Sequence, residues 1–270
     1  MRIGKVAFVV LICVYGLSGT VHGEDTRVLA QVGIGAVPGA VGEGLGEGQD
    51  TADEFDDEFE DEFDGQEIPV WDPIEPFNQG MFWFNDRLYF YLFKPIARGL
   101  RILPEGTRES VDNFFSNLTT PIRFANALLQ LKFGAAGTEA GRFVINTILG
   151  IGGIFDYARR HFDLYKTNED FGQTLGHYGV GPGPYLVLPF LGPSNPRDSL
   201  GLIPDAYIDP INWWLADNQF WTAVGIHAGV RVNKLSLDKD TYEAIKAEQL
   251  DPYLFVRDAY MQRRAKLVEK

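Results

Sequence analysis

Cysteine is all but missing from this sequence. The single one, Cys13, falls within the opening residues, MRIGKVAFVVLICVYGLSGTVHG. These read as a secretory signal. Arg2 and Lys5 give a basic start, Val6 to Leu17 is a short apolar stretch, and Val21-His22-Gly23 offers a cleavage point before Glu24. The stretch is too short to span a bilayer, which takes about 20 residues. Lipid attachment to a bacterial cysteine requires a small residue before it, and here that residue is Ile12. Cys13 is therefore expected to leave with the signal, over residues 1–23. A mature chain without cysteine has no disulfide, no thiolate nucleophile and no cysteine metal site.

Long apolar runs are also lacking. No segment after the signal reaches 18 uninterrupted apolar residues, which excludes a conventional transmembrane helix. A basic stripe is missing too. The net charge of −13 is concentrated between Gly42 and Glu67, where 13 acidic residues stand with no Lys or Arg. After Ile68 there are 21 basic and 22 acidic residues. With nothing to neutralise phosphates along a groove, nucleic-acid binding is disfavoured.

Catalytic constellations are absent as well. Asp170-Phe171-Gly172 imitates a kinase triplet, but no HRD loop accompanies it. In GVGPGP no Lys-Ser/Thr follows, and proline removes the amide donors a phosphate loop needs. His161, His177 and His227 are too scattered for a metal site, and no G-x-S-x-G elbow occurs. The expectation is no enzyme, no metal and no cofactor.

Residues 24–67 are Gly-rich and then acidic, a composition that stays unfolded in isolation. Phe55, Phe59 and Phe63 recur every four residues and would share a face if a partner induced helix. A solvated spacer is the plainer alternative. From Val70 onward helical signals dominate and the fold class is all-α. Pro76-Phe77 opens a helix expected to run to about Phe93, where Lys94-Pro95 stops or kinks it. Thr120-Pro121 reads as an N-cap and first helical residue before IRFANALLQLKF. Asp170 with Gln173 resembles a capping box. Further helices are expected over 199–207, 218–232, 239–250 and 252–266. The Gly/Pro segments read as loops. A helical core over 68–235 would be followed by charged helices over 236–270.

What the chain has in abundance is aromatic helix. In DPIEPFNQGMFWFNDRLYFYLFKP, eight of the seventeen residues from Phe77 to Phe93 are aromatic. Trp and Tyr favour the water–lipid boundary, and such helices can lie in one leaflet without crossing it. Burial in an ordinary bundle is the other reading of the same residues. The segment FVINTILGIGGIF carries Gly150, Gly152 and Gly153, which suit a hinge or a close backbone approach. HYGVGPGPYLVLPFLGPSNP is apolar and irregular, with five prolines from Pro182 to Pro196. Its backbone polar groups must be buried in protein or line a cavity.

The blocks DPIEPFNQGMFWFN, KPIA, NFFSNLTTPIRFANALLQLK, RFVINTILGIGGIFD and DFGQTLGHYGVGPGPYLVLPFLGPSNPRD resemble, in order, the signature blocks of the MlaA (VacJ) outer-membrane lipoproteins. They cover about residues 70–210. No such block is legible in 24–67 or after about 235, and the missing small residue before Cys13 departs from the family's lipidated start.

The resemblance implies a compact, ring-like helical bundle with in-plane membrane-embedded helices and Gly/Pro-rich apolar loops. It would sit in the inner, periplasmic leaflet of a Gram-negative outer membrane, associated with a porin trimer. An amphipathic channel would return misplaced phospholipid from the outer leaflet to a soluble periplasmic carrier. Phe77, Phe82, Trp83, Phe84, Tyr89 and Phe90 would be embedded, with Asn78, Asn85 and Asp86 toward partners or a wet interior. Arg123, Asn126, Arg142 and Asn146 are candidates for the polar lining of the lipid pathway, since arginine binds phosphate in a bidentate way. Ion pairing inside the bundle and capping are the alternatives for those side chains. Gly150, Gly152 and Gly153 would form a pliable gating segment, or else pack helices tightly. A porin-associated structural protein without transport, or a phospholipase, are the competing functions.

Overall fold

The computed structural model describes residues 70–214, 220–238 and 240–270. The expected signal over 1–23, with Cys13, and the acidic segment over 24–67 lie outside these residues.

Helix α1, Glu75–Leu88, starts with an acid and a proline in its first turn, where a negative charge meets the positive end of the helix dipole and proline's missing N–H costs nothing. It does not run unbroken to Phe93. Tyr89–Phe93 forms one π-helical turn, and α2, Lys94–Leu100, continues from it. Pro95 has no N–H for the carbonyl four residues back, and its ring would crowd that carbonyl. The wider turn relieves this by shifting the pairing, so that the Lys94 N–H bonds the Tyr89 carbonyl.

Helices α3 (Glu105–Leu118) and α4 (Thr120–Leu129) follow almost without a break. Thr120 is not the expected N-cap. It is the first helical residue, with no side chain capping the helix and Pro121 next. Its hydroxyl instead accepts a hydrogen bond from Arg123 Nη2 at 2.9 Å. The chain leaves α4 through Leu131, whose φ of 59° interrupts the expected run to Phe133. Helix α5, Phe133–Ile148, begins there, followed by a short α6, Tyr157–Phe162. Asp170 caps α7, Phe171–His177, as expected, accepting the Gln173 N–H at 2.8 Å.

The Gly/Pro segment read as a loop contains a two-stranded antiparallel sheet. Strand β1, Leu186–Leu188, pairs with β2, Gly192–Ser194, so that Leu186 faces Ser194 and Leu188 faces Gly192. Phe190 and Gly192, at φ of 65° and 87°, make the left-handed turn between them. Helices α8 (Pro196–Ile208), α9 (Pro210–Trp214), α10 (Phe220–Leu237), α11 (Thr241–Glu248) and α12 (Pro252–Glu269) complete the described chain.

Helix α7 packs on α8, α4 on α5, and α10 across α2 and α3, while α12 crosses α7 and β2. The architecture is predominantly α, as the sequence indicates. No helix among the described residues is long and apolar enough to cross a membrane.

The interior is unusual in what it hides. Among the described residues, Ile211 and Ala223 form one buried apolar cluster and Tyr185, Val187 and Tyr253 another, each extended by half-buried apolar neighbours. Asn78, Asn126, Glu139 and Asn195 are fully buried. Outside, Trp214 and Ile102 are 86 % and 87 % exposed, with Trp83, Tyr91, Trp213 and many aliphatic residues also exposed. A water-soluble domain keeps its charges outside and its large apolar groups mostly within. This chain exposes a broad apolar surface around a polar centre.

Candidate functional site

Helix α1 is amphipathic in an inverted sense. Its inward face carries Asn78, Asn85 and Asp86, and its outward face carries Phe77 and Trp83. The inward polar groups hold this chain's own elements, not partners or a wet interior. Asn78 donates from Nδ2 to the Tyr185 carbonyl at 3.0 Å and to Asp72 at 2.8 Å, while Oδ1 accepts the Val187 N–H at 2.8 Å. Asn85 repeats the clamp two turns on, between the Leu188 carbonyl at 2.9 Å and the Phe190 N–H at 2.7 Å. The apolar segment around β1 thus has its backbone satisfied from α1. Asp86 accepts from Tyr242 and from Lys246, at 3.0 Å and 2.6 Å.

The six aromatics expected in the membrane divide. Phe77 and Trp83 face outward. Phe82 packs edge-on against Tyr253, Phe84 against Phe190, and Tyr89 and Phe90 against Tyr242.

Three of the four polar lining candidates meet in one place. Arg123 of α4 with Arg142 and Asn146 of α5 surround a cavity of about 10 Å³, together with Asn117, Thr120 and Asp156. That volume suits about one water molecule. Each candidate also has partners inside the chain. Arg123 Nε pairs with the buried Glu139 at 2.8 Å, and its Nη2 donates to the Ser116 carbonyl at 3.0 Å. Glu139 also accepts the Thr167 N–H at 2.6 Å. Burial lowers the Arg123 pKa, and Glu139 opposes that shift. Arg142 pairs with Asp156 at 2.8 Å and donates to the Leu164 carbonyl. Asn146 donates to Asp156 at 2.9 Å and accepts the Ala158 N–H at 2.8 Å. Burial pushes the Asp156 carboxyl up, but Arg142, Asn146 and the Arg159 N–H outweigh it and hold it below the usual carboxylate range.

Asn126 stands apart. It donates to Asp205 of α8 at 2.7 Å and accepts from Thr174 of α7 at 3.0 Å. Burial, then the charge of Asp170, pushes the Asp205 pKa up to about 7.

On the other side of the α4 N-terminus lies an apolar groove of about 700 Å³, lined by Pro121, Ile208, Pro210, Trp213 and Trp214. Thr120 belongs to the polar cavity and Pro121 to the apolar groove, so successive residues divide the two. Sequence reasoning missed Pro121 and the tryptophan pair as groove residues. The adjacent Trp213-Trp214 was the available signal, since two neighbouring indoles cannot both point into one helix-packing seam.

The glycine turn after α5 borders the polar cavity. A Cβ on Gly150 would lie 2.2 Å from the Phe155 carbonyl oxygen, and one on Gly153 would lie 2.5 Å from Asn117 Cβ. Gly152, at φ of 72°, faces open space. The turn is therefore close-packed at both ends and free in the middle.

The charged C-terminal helices dock on the rest of the chain. Arg264 of α12 bonds Asp170 at 2.5 Å and 2.9 Å and Asp198 at 2.8 Å, tying together the N-termini of α7 and α8. Among the described residues, no group of three or more His, Cys, Asp or Glu could hold a metal.

Comparison with known proteins agrees with this arrangement. The family model described as MlaA lipoprotein matches residues 70–267, continuing through the C-terminal helices where no signature block is legible. The intermembrane phospholipid transport system lipoprotein MlaA of Escherichia coli (strain K12) is 37 % identical over 198 residues, which is 71 % of this chain and 76 % of that protein. An uncharacterised protein of Rickettsia prowazekii (strain Madrid E) is 36 % identical over 205 residues, covering 75 % and 80 %. A solved structure, described as the structural basis for maintenance of bacterial outer membrane lipid asymmetry, matches at 35 % identity and a TM-score of 0.64. It covers 73 % of this chain and 98 % of that one. By sequence over nearly all of its described residues, and by fold, this chain belongs to the MlaA lipoprotein family.

Proposed function

We propose that this chain is the outer-membrane component of an intermembrane phospholipid transport system and removes misplaced phospholipid from the outer leaflet. The observation that carries the reading is the inversion of polarity, a polar centre inside a surface rich in exposed aromatic and aliphatic side chains. Such a surface is stable against acyl chains and not against water. The name of the Escherichia coli relative supplies the substrate class.

A phospholipid must carry a charged head past hydrocarbon, and bare charge there is costly. In this reading the heads follow the polar wall of Arg123, Arg142 and Asn146, with Asn126 behind it, while the tails lie along Pro121, Trp213 and Trp214. The meeting of the two surfaces at Thr120–Pro121 supports a single amphipathic route. A cavity of about 10 Å³ admits no head group, so passage needs opening. The Gly150–Gly153 turn, set against Asn117 at the cavity wall, is the segment that would yield. The protein would sit in the inner leaflet beside a porin trimer and hand lipid to a soluble periplasmic carrier, with no covalent step and no cofactor.

The test is surface-exposed phospholipid in cells lacking the protein, measured with an enzyme that modifies only outer-leaflet lipid. A rise that the full chain reverses, without release of fatty acid, is the expected result. Unchanged surface lipid would overturn the transport reading and favour a structural role, and fatty-acid release abolished by one Ser, His or Asp substitution would favour a phospholipase.

A further inference from the structure

The outward face of α1 carries a cation with no counter-charge among the described residues. Arg87 lies over the Trp83 ring, 5.4 Å from its centroid, and near the Tyr91 ring at 6.0 Å. The spacing of four residues on each side stacks the three into a ridge. Trp83 is 59 % and Tyr91 75 % exposed, and Arg87 is exposed between them. No carboxylate among the described residues pairs with Arg87, whereas Arg101, Arg123, Arg142, Arg197 and Arg264 each have one.

An end-of-helix role does not account for Arg87. A basic residue in a last turn is favoured by free carbonyls there. Here the chain runs on through the π-helical turn, and the Tyr89 N–H bonds the carbonyls of Asn85 and Asp86. Nor does the arginine support the fold from this position, because Asn78, Asn85 and Asp86 hold α1 from the opposite face.

Each component of the ridge points to the same depth. Trp and Tyr settle where acyl chains give way to head groups. A guanidinium stacked on aromatic faces keeps its edge N–H groups free, and that edge matches a phosphate diester in bidentate geometry.

We propose that the Trp83–Arg87–Tyr91 ridge is a head-group site, separate from the transport route, that binds the phosphate of anionic phospholipid and fixes how deeply α1 sits in the leaflet. The site rests on the membrane-embedded reading above. Its occupant is a lipid of the surrounding leaflet, whereas the transported lipid would meet Arg123 and Arg142 on another element.

The experiment measures partition of the purified full chain between detergent-depleted buffer and vesicles of phosphatidylcholine, alone or with one-fifth phosphatidylglycerol, for the unaltered protein and Arg87→Gln. Arg87→Lys and the pair Trp83→Leu/Tyr91→Leu are run beside it. Phosphatidylglycerol should strengthen binding of the unaltered chain, and Arg87→Gln should lower that binding about fivefold, the effect expected of one basic residue near an anionic surface. Its binding to phosphatidylcholine alone should change much less, because the choline cation of that head group already offsets the phosphate. Arg87→Lys should recover only part of the effect, since an ammonium neither stacks on the rings nor makes the bidentate contact, and the aromatic pair should weaken binding to both vesicle types.

An Arg87→Gln chain with unaltered preference for phosphatidylglycerol overturns the site while leaving the membrane reading intact. Equal loss on both vesicles overturns it in favour of a structural role. Competition by inorganic phosphate at matched ionic strength overturns the lipid as occupant. No binding to either vesicle by the unaltered chain fails the membrane reading itself. Unchanged partition with lost porin co-purification would assign the ridge to a protein partner instead.

Discussion

Asn78 and Val187 are 109 positions apart in sequence and joined by a 2.8 Å hydrogen bond from the Val187 N–H to the asparagine oxygen. The same side chain binds the Tyr185 carbonyl, so one amide replaces the sheet neighbour that β1 lacks on this side. Helix α1 thereby acts as the edge partner of a two-stranded sheet.

Asn78→Leu should cost about 3 kcal/mol or more, because it leaves a buried N–H and a buried carbonyl without partners. Asn85→Leu should cost nearer 1 kcal/mol, since the Phe190 it holds is half exposed and water can substitute. Denaturant unfolding of the detergent-solubilised protein would rank the two; equal costs would remove the clamp argument.

The buried Arg123–Glu139 pair should behave as a coupled unit. Arg123→Met or Glu139→Gln alone is expected to lose about 3 kcal/mol, because each strands a buried polar partner. The double variant should lose less than the sum in a double-mutant cycle. A strictly additive result would contradict the pairing.

The glycine turn separates packing from pliability. Gly150→Ala should destabilise by about 3 kcal/mol, since its methyl would overlap backbone oxygens of Phe155 and Asn146. Gly152→Ala has room and should cost only about 1–2 kcal/mol for the left-handed backbone. Gly152→Ala is therefore the variant for the lipid assay. Altered surface phospholipid at normal protein level is expected of a gate, and unchanged lipid would reject gating.

Asp209 Oδ2 and His227 Nε2 lie 3.9 Å apart, so the two titrate as a coupled pair whose burial drives them in opposite directions. Burial pushes Asp209 up to about 6 and His227 down to about 4. The raised acid contributes stability that is present below pH of about 4 and lost as pH rises through about 6. The depressed base contributes stability that is present above about 6.5 and lost as pH falls through about 4. Taken singly, each slope amounts to about 3 kcal/mol at about 1.4 kcal/mol per tenfold in proton affinity, and within the pair the two oppose. Asp209→Asn keeps the oxygen that accepts the Ile211 N–H and should expose the histidine slope, with stability rising from pH 4 to 6.5. His227→Gln should expose the reverse. Stability measured across this range in both variants decides it.

Local signals survived into the fold where they were self-sufficient. The Asp170 cap and the helices expected near 199–207 and 252–266 needed only neighbouring residues, and they are present, whereas α5, α6 and α9 are not among the expected helices. Thr120 is not a cap because α3 and α4 run on almost without a break, so it is already a helical residue and Thr119 takes the cap position. The short sheet was hidden because two strands of three residues, rich in proline and glycine, carry no period-two pattern of their own. Their stability comes from α1, more than 100 positions earlier. The site was partly legible for a similar reason. Arg142 and Asn146 are four residues apart on α5 and share a face there, while Arg123 joins them only because α4 packs on α5. Asn126 faces α7 and α8 instead, and the Pro121–Trp214 groove exists only once α4 and α9 are placed side by side.

The polar interior decides which positions can drift. An apolar core tolerates exchange among side chains of similar volume, because contact there has no direction. Asn78 uses both its donor and its acceptor on fixed backbone atoms, so neither aspartate, glutamine nor leucine reproduces it. Outward residues such as Ile102 make no such directed contact, and on the membrane-embedded reading proposed above they need only remain apolar. In this protein the apolar surface away from the Trp83–Arg87–Tyr91 ridge and the Trp213–Trp214 groove is the forgiving part, and an engineer seeking new sequences for the same fold should exchange apolar residues there and leave the inside alone.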